Sequence, residues 1–185
     1  MHVEPTESAF LAHAQKQSGN VLRVWTDLTA DFETPVAVFS RLRQLGRPAF
    51  LLESITGGEQ ISRYSFIGVN PRKIYAVGET TTRVTTAAGT EERPTPEDPL
   101  ALIEDEIART QPVEQPGMPP FSGGAVGFVG YEYIHRIEPT VPRPPRDELE
   151  TPVLYFCLVD QVVAFDHAQQ RLRLIANVHL DGKAD

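Results

Sequence analysis

The chain has 185 residues, 41% of them hydrophobic and 23% charged, a profile that fits one globular domain with a core of its own over residues 1–185. Its net charge of −8, with 17 Lys and Arg scattered among 25 Asp and Glu, argues against nucleic-acid binding, which depends on clustered basic residues. No apolar run approaches the roughly 20 residues that span a bilayer, and "MHVEPTESAF" lacks the charged-then-apolar order of a signal peptide. Neither a nucleic acid nor a membrane is therefore expected as partner. The single cysteine, Cys157, allows no internal disulfide and fits a reducing cytoplasm.

From the N-terminus, residues 8–16 carry weak helical character that stops at "SGN", and residues 21–28 read as a strand. "TPVAVFSRLRQLG" predicts a helix, with Thr34 as N-cap, Pro35 in the first turn, and Gly46 past the end. Val36, Phe39 and Leu42 form its expected apolar stripe. Strands follow at residues 48–54 and 62–68, joined through Gly57 and Gly58, with Leu51 and Phe66 expected in a shared core.

"RKIYAVGETTTRVTTAAGTEER" predicts two or three further strands broken near Gly78 and Gly89. "DPLALIEDEIARTQ" is a second helix, capped by Asp98, with Leu100, Ile103 and Ile107 inward and the acids of "EDEIA" on the wet face. Proline-rich loops at residues 112–120 and 139–152 bracket the glycine-rich "FSGGAVGFVGYEYI". A long hairpin closes the chain, with residues 153–165 as one arm and "RLRLIANVHL" as the other. Many strands and two to three helices give an α+β class, with a mainly antiparallel two-sheet β architecture.

The chemistry is sparse. Gly124, Gly127 and Gly130 match neither a phosphate loop nor a dinucleotide fingerprint, so close backbone approach is the better reading. His2, His13, His135, His167 and His179 show no metal-ligand spacing. Cys157 lies in an apolar strand, where a thiol is held neutral rather than activated. No catalytic residue, metal ligand or cofactor site is expected within the chain. What remains is "LLESITGGEQISRYSFIGVNP", where Glu53 and Ser54 end one strand and Arg63 stands on the next. An acceptor set opposite a donor suits a small zwitterion, although an exposed ion pair on a plain hairpin would look the same.

That segment resembles the N-terminal signature of the anthranilate synthase component I family. "DLTADFETPVAVFSRL" resembles the family's early Asp and Thr-Pro helix, "FSGGAVGFVGYEYIHRIE" its Gly-Gly-x-x-Gly-Tyr segment, and "FCLVDQVVAFDH" its closing hairpin. Phe128 and Glu132 depart mildly from the more familiar Tyr and Asp. The resemblance implies a protein that makes anthranilate and pyruvate from chorismate, with magnesium and with ammonia from a glutamine amidotransferase subunit. It also implies that the catalytic, chorismate-binding half lies after this region, so that this chain is an isolated N-terminal domain. Leu52, Glu53, Ser54 and Arg63 inherit by position one wall of the feedback tryptophan site, although Arg63 stands where some members carry lysine. Two other readings stay open: the similar large subunit of aminodeoxychorismate synthase, against which Glu53 speaks, and a stand-alone amino-acid-binding module.

Overall fold

The computed structural model describes residues 2–16, 19–53, 63–143 and 149–180. They form four helices and ten strands, which fall into two compact units. One comprises Met1–Pro71, Ala108–Gly124 and Val159–Asp185, and the other Arg72–Ile107 and Ala125–Leu158. Each holds a five-stranded antiparallel sheet, as the alternation of short β-rich runs and turns predicts. No described helix is long and apolar enough to cross a membrane.

In the first unit the strands are β1 (Val21–Thr29), β2 (Phe50–Leu52), β3 (Tyr64–Val69), β9 (Gln161–Asp166) and β10 (Arg171–His179), in spatial order β1-β10-β9-β3-β2. Helix α1 (Glu7–Lys16) precedes β1, and α2 (Pro35–Leu42) follows it. The α2 N-cap is as predicted: the Thr34 hydroxyl accepts from the Ala37 N–H at 3.2 Å, and Pro35 opens the helix. Its inward face differs from the expected stripe. Val38 and Phe39 pack on Ile67, Val163, Phe165 and Leu172, while Val36 and Leu42 stay largely exposed. An eight-residue helix makes barely two turns, so the sheet below, rather than the full periodic set, decides which residues it covers.

Leu51 pairs with Ile67 in register and joins that core, whereas Phe66 pairs with Leu52. Phe66 therefore faces the other side of the sheet, against Phe121 at 5.5 Å, and the shared core expected for Leu51 and Phe66 does not form. The cause is parity: adjacent strand residues point to opposite faces.

The second unit holds β4 (Lys73–Val77), β5 (Thr81–Thr86), β6 (Gly89–Pro94), β7 (Gly124–Val129) and β8 (Leu154–Val159), in order β6-β5-β4-β8-β7. Helix α3 (Ala101–Arg109) covers part of it, with Ile103 buried among Tyr75, Val77, Val153, Leu154 and Leu158. Asp98 does cap this helix, its carboxylate accepting from the Leu100 N–H at 3.1 Å. Ile107 faces solvent and Glu106 is buried, the reverse of the predicted faces. Glu106 accepts hydrogen bonds from Lys73 and from the Tyr75 hydroxyl (2.8 Å), so partners on β4 draw the acid inward. A short 3-10 turn at Tyr131–Tyr133 and α4 (Ile134–Ile137) follow β7.

The long hairpin arm is two strands. Residues 153–165 break at Asp160 into β8, paired with β4, and β9, paired with β10 and β3. Cys157 is buried in β8 as expected, beside Tyr155, whose hydroxyl burial pushes up to about 12. Gly127 confirms the close-approach reading: a Cβ there would lie 1.9 Å from the Tyr155 carbonyl oxygen.

Candidate functional site

The face of the first sheet opposite α2 carries its charge at one end. Register sets it there. Tyr64 pairs with Asp166, Asp166 with Arg171, Ala164 with Arg173, and Arg173 with Asp27. Arg171 and Arg173 alternate with Leu172, which points into the α2 core. The loop of residues 112–119 roofs this end. It is tied to β1 by the Gln115 side chain, which bonds both the N–H (3.1 Å) and the C=O (3.0 Å) of Arg23. The Arg173 Nη1 donates to the Gly117 carbonyl at 2.6 Å.

Between sheet and loop lies a cavity of about 370 Å³, within the range that holds small molecules. Two bidentate pairs line it. Arg173 grips Asp27 at 2.6 and 2.8 Å, and Arg63 grips Asp166 at 3.0 and 2.7 Å. Asp166 also accepts from the N–H groups of Ala168 and Gln169, and Arg63 lies over the Tyr64 ring at 4.9 Å. The Arg173 hydrogen bonds hold the Asp27 carboxyl below the usual range, and the Arg63 hydrogen bonds do the same for Asp166. Arg171 adds a third guanidinium 3.8 Å from Asp27. Three cations against two carboxylates leave a surplus of positive charge. The cavity is thus a donor-rich site suited to a carboxylate or phosphate group.

The residues singled out from the sequence divide. Arg63 lines the cavity, and its two hydrogen bonds to Asp166 leave three of its five N–H donors for other partners. Asp166 orients the fork without consuming it. Leu52 ends β2 and Glu53 follows it, both exposed and neither in the cavity wall. The carboxylate paired with Arg63 among the described residues is Asp166, not Glu53. Ser54, with Gly57 and Gly58, lies outside the described residues. Sequence reasoning missed Asp27, Asp166 and Arg173. The alternating "RLRL" of β10 was the available signal, since it marks a charged face, but only the register names its partners.

Comparison with known proteins agrees with the motifs. The chain is 40% identical over 167 residues to the probable anthranilate synthase component 1 of Schizosaccharomyces pombe, covering 89% of this chain and 30% of that protein. It is 33% identical over 166 residues to anthranilate synthase component 1 of Acetivibrio thermocellus, covering 90% and 33%. For the Synechocystis protein of the same name the figures are 35% over 182 residues, 98% and 35%. The chain thus spans about a third of the length of the curated relatives it matches. The crystal structure of anthranilate synthase component I from Streptococcus pneumoniae shares the fold, with a TM-score of 0.51 and 24% identity over 85% of this chain and 33% of that one. No protein-family model matches.

Proposed function

This chain belongs to the anthranilate synthase component 1 family, and we propose that it is the N-terminal, tryptophan-sensing part of such an enzyme. The observation that carries this reading is 33–40% identity spread over nine-tenths of the chain to proteins of that name. The full-length protein, on this reading, converts chorismate and ammonia to anthranilate and pyruvate in tryptophan biosynthesis. A glutamine amidotransferase subunit supplies the ammonia.

The reading divides the labour between this chain and the rest of the protein. Among the described residues no three His, Cys, Asp or Glu side chains gather to hold a metal. Cys157 is buried and its thiol is pushed up by burial, which removes it as a nucleophile. On this reading, which the resemblance carries, the chorismate-binding part of the protein supplies both catalyst and metal. On the same reading this chain supplies one wall of the effector site: Leu52 at the end of β2, Glu53 and Ser54 next in sequence, and Arg63 before β3. The cavity supports the part of Arg63 alone, since a guanidinium held by Asp166 meets a ligand carboxylate without losing further freedom, while Leu52 and Glu53 enter the reading through the resemblance.

The test is a turnover assay with chorismate, ammonium and magnesium. The purified 185-residue chain should form no anthranilate, and the full-length protein should form it. Turnover by the chain alone would overturn the division of labour, and no turnover by the full-length protein would overturn the enzymatic reading.

A further inference from the structure

The two outer strands of the second sheet are built differently. At one edge, β6 reads "GTEERP", with three charges and a proline, all exposed. Such residues keep an edge from recruiting another strand. At the other edge, β7 reads "GAVGFV", with no charge and no proline, although among the described residues it has β8 as its one sheet neighbour, just as β6 has β5. Phe128 and Val129 are about half exposed at its end, and the next exposed apolar side chains, Tyr131 and Ile137, follow directly in the 3-10 turn and α4. Phe128 is held flat on Tyr155 of β8, with ring planes 17° apart at 5.9 Å, so the apolar surface is fixed in place.

From this asymmetry we infer that the free edge of β7 is an interaction surface that takes an added β-strand from the part of the full-length protein outside this chain. This rests on the family reading above. Its physical content is strand addition: the outward N–H and C=O groups of residues 125–129 bond an extended segment, and the exposed apolar side chains at and beyond the end of β7 pack on it. The occupant follows from length and charge. The relatives are about three times as long as the matched region, so a strand from the remainder would be tethered to this sheet at high effective concentration. A second copy would instead bring another net charge of −8 to the edge, which opposes self-association.

Amide hydrogen exchange tests this without any variant. In the 185-residue chain, the outward amides of residues 125–129 should exchange as edge amides, independently of protein concentration. In the full-length protein the same amides should slow by about 100-fold or more, while β6 amides stay fast in both. Equal exchange of β7 in a full-length protein that is active on chorismate would overturn the inference alone. A native polypeptide with nothing beyond this chain would overturn both the inference and the family-level reading it rests on. Protection of β7 that grows with the concentration of the isolated chain would make a second copy the occupant and overturn the assignment.

Discussion

Gly127 and Glu106 show how single positions set the second unit. At Gly127 the backbone of β7 comes so near β8 that an added methyl would meet the Tyr155 carbonyl and, at 2.7 Å, the Phe156 Cα. These atoms are all backbone of β8, so nothing flexible can move aside. Gly127→Ala should therefore destabilise the protein by about 2–3 kcal/mol, read from the urea midpoint, and an unchanged midpoint would mean β7 does not sit this close. For Glu106 burial pushes the carboxyl up, but hydrogen bonds from Lys73 and Tyr75 and the charges of Lys73 and Arg72 outweigh it and hold the group down. Glu106→Ala removes the acceptor both partners use and should cost about 2–3 kcal/mol. Glu106→Gln keeps an acceptor for Tyr75 and should cost less.

The same carboxylates fix the acid limit of the fold. Asp27, Asp166 and Glu106 all have folded-state values depressed below the unfolded ones. Their contribution is complete above the ordinary carboxylate range near pH 4 and is lost as pH falls through the folded values. The urea midpoint should be flat from pH 7 to about 5 and drop below about 4. Asp27→Asn should make that drop shallower, and an equally steep fall in the variant would remove the Asp27–Arg173 pair from the account.

At the scale of elements, local signals were read well wherever a few residues decide the outcome. The Thr34-Pro35 start of α2, the Asp98 cap of α3 and the breaks near Gly78 and Gly89 are all chemistry within one turn of chain. Facing was read less well, because burial belongs to the partner. Ile107 and Glu106 differ by one position, and Lys73 and Tyr75 of β4 decide which turns inward. The break at Asp160 escaped notice because one polar pair, Asp160-Gln161, between two apolar runs does not say whether the chain continues as one strand or starts another. Pairing of β8 with β4 predicts a shielded Cys157. A thiol reagent should modify it at least about 100-fold more slowly in the native protein than in urea, since reaction waits on opening of the strand. Equal rates would mean β8 is not a buried strand.

On the scale of the whole molecule, the family and the two-sheet architecture were legible, and the site was legible only in part. Arg63, singled out in the sequence as the donor set opposite Glu53 and Ser54, does line the cavity. Asp27, Asp166 and Arg173, which build the cavity around it, lie up to 146 residues apart in sequence and meet only through strand register. If this chain supplies one wall of a tryptophan site, it leaves much of the indole wet on the other side. At about 25 cal/mol per Å² of apolar surface, that forfeits on the order of 1–2 kcal/mol, before the loss of contacts from the missing wall. Calorimetry at micromolar concentrations should detect no tryptophan binding to the isolated chain, and tight binding would show that the pocket is complete within residues 1–185.

The most direct measurement is tryptophan inhibition of the full-length enzyme carrying Ser54→Phe, alongside its KM for chorismate. If Ser54 belongs to the effector wall, as we propose, phenylalanine there fills it and leaves the chorismate-binding part untouched. Inhibition should weaken by at least about tenfold, a loss of roughly 1.4 kcal/mol of effector binding, with kcat and KM for chorismate within about twofold of the parent. Inhibition unchanged by Ser54→Phe, in an enzyme with normal turnover, would contradict the assignment of this chain's β2 end to tryptophan sensing.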